Sequence, residues 1–331
     1  MEDKSIVEIL NRRYNIEFTK VEKIKNVYKA YSTCGVNYCL KVSGTNIKKF
    51  NFIMGAISHI QSRNQDIIPE IIKTKDENKY IKLNELYAYL SLWIDSRHSK
   101  FDDMEELSRV SKKIAQLHNL SNGFKVSQDM ELRIGWFSWP SVFNTRKHEI
   151  LDFQNRISQK ACLDKFDKLY LDNVRTEIKT AQKAIEGLER SKYQKIMRKE
   201  IMKMGFCHHD LANHNVLIDR KNNINIIDFD YCILDSHLHD LGSLLIRAMR
   251  NGKWNYEISQ NVINSYCSES SINGEELEII REFIRFPQEF WQIGLQKYWE
   301  QRNWSEKKYY NRLCDYLNDR DKRKGYLNNF I

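Results

Sequence analysis

The spacing of apolar positions changes character along the chain, and that change gives the chain its organisation. Residues 5–18 place Ile6, Leu10 and Tyr14 four apart, the step that gathers side chains on one face of a helix. From about Val21 the pattern turns to strand. Val27–Thr33 and Tyr38–Val42 flank the turn Cys34-Gly35-Val36-Asn37, which predicts a hairpin. In its second strand Tyr38, Leu40 and Val42 share one face and leave Cys39 and Lys41 on the other. Ile47–Ser62 carries Phe50, Ile53, Met54, Ile57 and Ile60 at helical spacing. Ile67–Ile72 and Tyr80–Leu83 read as two more strands around the charged turn Lys75-Asp76-Glu77-Asn78. Tyr87–Ile94 is strongly apolar until Asp95-Ser96-Arg97-His98 breaks it. The expectation is a small lobe over residues 1–94, with five short strands around one helix and a hinge near Leu92–Asp95.

Beyond the hinge the helical period takes over. Met104, Leu107, Val110, Ile114, Leu117 and Leu120 repeat at steps of three and four, with Asp102 or Asp103 where an N-cap belongs. Helices are expected over residues 143–162, 167–188 and 193–204, from Asp240 through Met249, and over residues 277–302. Trp136–Pro140 reads as a loop or an irregular helix entry, and Phe283, Phe286, Phe290, Trp291 and Trp299 read as core aromatics. The fold class is therefore α+β: a β-rich first lobe and a larger, mostly helical lobe over residues 95–331.

Composition narrows the class. The 331 residues suffice for one large domain or two lobes, and 3 Pro and 12 Gly exclude low-complexity and collagen-like chains. Seven scattered cysteines without a CxxC pair indicate reduced thiols in a cytosolic compartment. No stretch approaches the roughly 20 apolar residues of a membrane span, and the opening Met1-Glu2-Asp3-Lys4 does not read as a signal peptide. The net charge of +9 is dispersed among 44 acidic residues, with only the short clusters Lys48-Lys49 and Arg320–Lys324. That pattern fits a solvated lysine-rich surface better than a nucleic-acid face, although it would attract an anionic nucleotide or an acidic protein.

Candidate chemistry gathers between Phe206 and Asp240. Asp210 follows His208 by two residues, and Asn215 follows Asp210 by five. The apolar runs Val216–Ile218 and Ile224–Ile227 enclose a polar turn, and the second run ends on Asp228-Phe229-Asp230. An aspartate able to accept a hydroxyl proton, followed by an asparagine and an aspartate able to hold magnesium, describes a phosphotransferase centre. His208 is expected to brace the loop and Asp230 to support it. Asp240, at a helix start, would cap that helix or hold the loop. Lys41, in mid-strand, suits a reach toward nucleotide phosphates. The rival reading is a zinc or iron site built from His208, His209, His214, His237 and His239 with Asp210, Asp228 and Asp240, but no two of these histidines form an i, i+4 helical ligand pair.

The segment HHDLANHNVLI…INIIDFD resembles the catalytic segment of the aminoglycoside phosphotransferase and choline kinase superfamily, relatives of the protein kinases. More narrowly, the chain resembles CotS-type spore coat proteins. That likeness spans nearly its whole length: Asn26–Lys41, Trp93-Ile94, Leu117-His118 with Gly123-Phe124, Gly135–Trp139, CHHDLANHNVLI, Asp240-Leu241 and the FPQEFW run at 286–291. The resemblance implies a bilobal protein kinase-like fold with ATP between the lobes and Mg²⁺ as its metal. Lys41 would bind nucleotide phosphates, Cys39 would line the adenine pocket, Asp210 would be catalytic, and Asn215 and Asp228 would hold magnesium. The implied acceptor is a hydroxyl of a small molecule or of a coat protein. The implied setting is the mother-cell cytoplasm followed by assembly with other spore coat proteins. Two departures stand out. Asn26–Ser32 contains no GxGxxG, and Ile47–Ser62 contains no acidic residue to pair with Lys41, so Glu70 or some other arrangement must hold it. A pseudokinase serving as a structural or recruiting coat component is the alternative function.

Overall fold

The structure, a computed structural model, describes residues 3–64 and 66–330. Its contacts divide into two units that interleave along the chain. The first holds the residues up to Lys100 with Gln116–Arg133 and His208–Ile233; the second holds Phe101–Ala115, Ile134–Cys207 and the residues from Leu234 onward.

In the first unit, helix α1 (Asp3–Arg13) precedes strands β1 (Phe18–Ile24), β2 (Val27–Ser32) and β3 (Asn37–Ser43), then helix α2 (Ile47–Gln61). Strands β4 (Ile71–Ile72), β5 (Ile81–Leu83) and β6 (Leu86–Leu92) complete an antiparallel sheet of order β1-β2-β3-β6, with β4 and β5 both on the outer side of β6. The sheet thus has six strands where five are expected. The extra one is β1, whose sequence FTKVEKI buries Phe18 and Val21 at a spacing of three, and whose register slips by one residue between Phe18 and Lys20. A bulge of that kind hides the two-residue period of a strand. The first helix ends at Arg13 rather than 18. The Asn11 side chain accepts from Phe18 N (2.6 Å) and donates to Phe18 O (3.1 Å), which ties the helix end to the start of β1.

Pro69, which has no N–H for a ladder, shortens the expected strand 67–72 to Ile71–Ile72. Asn46 caps α2 by accepting from Lys49 N at 2.9 Å. The core beneath the sheet joins Ile6, Leu10, Phe18, Val21, Ala30, Leu40, Ala88 and Leu90. Leu40 and Leu90 lie opposite one another at the centre of the β3–β6 ladder, both fully buried. Each contributes about 1.5–3 kcal/mol by leaving water.

The first unit also holds a smaller three-stranded sheet. Strand β7 (Ser96–His98), in a segment expected to break structure, pairs with β8 (Val216–Asp219), which pairs with β9 (Ile224–Ile226). The two apolar runs flanking the polar turn are therefore a hairpin, as the order of run, turn and run indicates.

The second unit is helical. Helix α3 (Met104–Ser121) contributes its first turns, followed by α4 (Trp139–Ser158), α5 (Lys165–Arg190), α6 (Tyr193–Lys203), α7 (Leu238–Met249), α8 (Tyr256–Cys267), α9 (Gly274–Arg285), α10 (Gln288–Gly294) and α11 (Glu306–Asn328). The single helix expected over residues 277–302 is broken. Pro287 ends α9, and α10 runs into a π-helical turn at Leu295–Trp299. Capping boxes at Asp164/Asp167 and Asn273/Glu276 start α5 and α9. Asp240 lies within the first turn of α7, fully buried, rather than at its cap; the capping position is His237. Glu177 of α5 is also fully buried. Tyr316 donates its hydroxyl to it at 2.6 Å, Arg320 pairs with it at 3.1 Å, and Arg323 donates to the Tyr316 oxygen at 2.9 Å.

Candidate active site

The candidate residues Lys41, Cys39, His208, Asp210, Asn215, Asp228 and Asp230 all lie in the first unit, whereas Asp240 belongs to the second. Lys41 sits on β3, a central strand, opposite Val27 of β2 and Tyr89 of β6. It is 8% exposed. The more common fate of a mid-strand lysine, an edge position facing water, is excluded. Its ammonium meets two carboxylates, Asp228 Oδ1 at 2.6 Å and Asp230 Oδ1 at 2.7 Å. Burial pulls the Lys41 pKa down, but Tyr89, Asp230 and Asp228 outweigh it and the net shift is upward. For Asp228 burial pushes up and Lys41 pulls down more strongly, so its carboxyl lies below its ordinary value. Both groups are held in their charged forms.

This arrangement answers the question left by α2, which has no acidic side chain for Lys41. Glu70 is not the substitute. Asp228 and Asp230 hold the lysine. The second aspartate of the IDFD run is the partner that sequence reasoning placed only in a supporting role. Its signal was the two-residue spacing, which a single 3-10 turn over Phe229–Tyr231 converts into two carboxylates on one ammonium.

The loop before the hairpin is built from short-range bonds. His208 is fully buried and edge-on to Phe229, with ring centroids 4.7 Å apart. Asp210 N–H lies 3.3 Å from His208 Nδ1, and Nε2 lies 2.8 Å from Ile227 O. An acceptor at Nδ1 requires the proton on Nε2, which then donates to the Ile227 carbonyl. Both ring nitrogens are thereby engaged, and the imidazole ties the Asp210 loop to the residue before Asp228. Asn215 ends a 3-10 turn and is 3% exposed; its Nδ2 donates to Asp210 O (2.9 Å) and Asp210 Oδ2 (3.1 Å). Its backbone carbonyl accepts from Ile227 N at 3.0 Å. Two residues of this loop system, His209 (φ +70°) and Asp228 (φ +68°), occupy the left-handed region that side chains other than glycine rarely adopt. Such strain persists where surrounding bonds over-determine it, and it gathers at functional sites.

Among the described residues, no three of the histidines and aspartates named for the zinc or iron alternative gather within ligand distance of one another. His208 has both nitrogens in use, His214 packs edge-on to His98 (6.3 Å), and His237 bonds to Glu200 at 2.9 Å in the second unit. The donor set fits magnesium instead. Asp228 and Asp230 offer carboxylate oxygens, and Asn215, whose nitrogen is committed to Asp210, offers an amide oxygen.

Cys39 lies opposite Ser91 in the β3–β6 ladder and is half-buried; burial pushes its thiol up to about 11 despite the nearby Lys41 charge. The chain leaves β6 through Leu92 and Trp93, whose N–H groups donate to Glu70 O (3.2 Å) and Asn37 O (3.0 Å). The turn from β1 to β2 is only Lys25-Asn26, with Lys25 at φ +52°. Arg133 is a further residue beside the site that the motifs do not mention. Its Nη1 donates to Asp230 O at 3.3 Å.

A family model described as "Spore coat putative kinase YutH" matches residues 7–330. Among solved structures, an aminoglycoside phosphotransferase from Alicyclobacillus acidocaldarius superposes with a TM-score of 0.85 at 18% identity, covering 98% of this chain and 94% of that one. The spectinomycin phosphotransferase APH(9)-Ia, in complex with ADP and spectinomycin, gives 0.69 at 17% identity, with 97% and 99% covered. The choline kinase LicA from Streptococcus pneumoniae gives 0.53 at 14% identity, with 99% of each chain covered. At these identities the structures establish the fold, a kinase-like fold with an N-terminal antiparallel sheet and a largely helical C-terminal part.

Proposed function

Because the chain belongs to the YutH family of spore coat proteins, we propose that it is a magnesium- and ATP-dependent phosphotransferase acting on a hydroxyl. The single observation that supports this most is the pair of carboxylates, Asp228 and Asp230, converging on the buried Lys41, with Asp210 held next to Asn215. Phosphoryl transfer asks a protein mainly for positioning and for neutralisation of charge. In this reading Lys41 binds nucleotide phosphate oxygens, and Cys39 lines the adenine side with backbone groups near Leu92–Asp95. Asp228, Asn215 and Asp230 hold Mg²⁺, which, when bound, screens the charge of the β- and γ-phosphates. Asp210 accepts the proton of the acceptor hydroxyl, whose oxygen bonds to the γ-phosphorus as the bond to the β–γ bridging oxygen breaks and ADP leaves. His208 fixes the tautomer-dependent link between the Asp210 loop and Ile227. Asp240, buried in α7, has a structural part. The setting would be the mother cell and then the coat, in line with the CotS-type resemblance.

A second reading is favoured by the two-residue turn Lys25-Asn26, which has no glycine to lie over phosphates. It makes the protein a coat component that keeps the fold and a nucleotide site without turnover. A thermal-shift titration with Mg-ATP, comparing parent with Asp228→Asn, tests the nucleotide site: a shift in the parent alone supports it, and no shift in either removes it. Transfer of labelled γ-phosphate then separates enzyme from pseudokinase.

A further inference from the structure

We propose that the acceptor hydroxyl belongs to a molecule with a negative charge nearby, and that Arg133 is the residue that binds that charge. The inference rests on the phosphotransferase reading and adds to it the charge class of the acceptor. Arg133 is half-buried and is fixed at two points. Nη1 donates to the carbonyl of Asp230 at 3.3 Å, and the guanidinium carbon lies 5.6 Å from the centroid of the Tyr231 ring. Its Nε and Nη2 donate to no group of the described residues. Among the described residues it has no carboxylate partner: the side chain of Asp230, whose carbonyl it bonds, is drawn onto Lys41. An arginine positioned by neutral groups alone keeps its full charge and a planar pair of donors for an incoming carboxylate or phosphate.

Tyr231, immediately after Asp230, is 56% exposed, so this corner opens to solvent. An exposed aromatic beside a transfer site would ordinarily suit a cationic acceptor through its ring face. Here the guanidinium already lies over that ring, and a second cation would meet like charge. An anion would gain from the same arrangement. The net charge of +9 acts in the same direction on approach. The acceptor's hydroxyl would then face Asp210 while its anionic group is held by Arg133, which makes Arg133 a substrate-binding residue on the acceptor side.

The test uses the full chain and four probes: glycerol 3-phosphate, a serine peptide flanked by aspartates, choline, and a serine peptide flanked by lysines. Label transfer from ATP is read for each, and calorimetric binding is measured with Mg²⁺ and a non-hydrolysable ATP analogue. The anionic probes are expected to be preferred, and the better of the two tells whether the charge comes from a small molecule or an acidic peptide. Arg133→Ala should lower kcat/KM for the preferred anion by about 10- to 100-fold, the loss expected for a charged hydrogen bond, through acceptor KM and with the KM for ATP unchanged. Arg133→Lys should recover part of it. Preference for the cationic probes overturns the proposal, as does an Arg133→Ala defect confined to the ATP KM. If the parent binds Mg-ATP but transfers to none of the probes, binding decides: anion affinity lost in Arg133→Ala supports the proposal, and no anion binding overturns it. If Mg-ATP itself does not bind, the underlying phosphotransferase reading is what fails, and the same calorimetry without nucleotide still decides the role of Arg133.

Discussion

Two buried ion clusters, one in each unit, show how similar ingredients serve different ends. At Lys41 one ammonium is shared by two carboxylates whose side chains remain 42% and 36% exposed. Negative charge is in excess and faces outward. At Glu177 a single carboxylate, fully buried, is met by the Tyr316 hydroxyl and Arg320, with Arg323 backing the tyrosine. Each of its oxygens is already met by a donor from α11, and the group is closed off from solvent. Burial and charge are common to both. Only the first has a surplus of carboxylates that a cation can reach from solvent, and that surplus, more than burial, is what a site of chemistry needs.

The sharpest way to break the comparison is to remove the surplus. Asp210→Ala should lower phosphoryl transfer by about 10²–10⁴-fold, the usual worth of a positioned proton acceptor, and Asp228→Asn should abolish the Mg-ATP thermal shift. Circular dichroism should show the fold intact in both. The second cluster should behave in the opposite way. Glu177→Ala leaves Arg323 and Tyr316 buried without their anion and is expected to cost about 3–5 kcal/mol in urea unfolding, while the protein that remains folded still responds to Mg-ATP.

The pH dependence of stability separates the clusters further. Asp228 lies below its ordinary value because Lys41 outweighs burial. In the second unit Glu200 is held at about 2, since bonds from His237 and Lys203 outweigh the burial that would raise it. Carboxylates depressed in the folded state stabilise fully above their unfolded pKa of about 4 and lose that contribution as pH falls through the folded value. Lys41, raised, contributes below its unfolded value of about 10.4 and is lost only as pH rises beyond it. Denaturation midpoints should therefore be flat between about pH 5 and 10 on account of these groups and fall on the acid side. Glu200→Gln should make the acid limb shallower without touching nucleotide binding. The smallest effect is expected at the exposed pair Arg220–Asp95 (3.2 Å, side chains 83% and 54% exposed). Asp95→Ala should change stability by less than about 1 kcal/mol, less still in high salt.

Much of this was legible in residue order. The hairpin between Asn215 and Asp228 follows from two short apolar runs around a polar turn, α2 follows from its apolar spacing, and α5 and α6 follow from the long charged helical stretches, each to within a few residues. What escaped has physical causes. Strand β1 reads as three-residue spacing because of its bulge at Phe18–Lys20. Strand β7 contains Ser96, Arg97 and His98, all exposed, and is held by pairing with a segment more than a hundred positions away. Helices α8 and α11 were not foreseen. The Lys41 partner escaped for a related reason: local sequence directs attention to the neighbouring helix, whereas the carboxylates arrive from the far side of the chain. Arg133 belongs to no motif at all, and only the fold brings it to Asp230.

The left-handed backbone at Asp228 has a consequence for anyone seeking a sturdier version of this protein. Glycine would relieve that conformation by about 1 kcal/mol, but it would also remove the carboxylate whose ion pair with buried Lys41 stabilises the fold, so a selection for thermal tolerance alone should not enrich Asp228→Gly. The same exchange deletes one of the two anchors of Lys41 and an oxygen of the cation-facing set. The residue that carries the backbone strain is therefore also one that a search for stability has little reason to exchange.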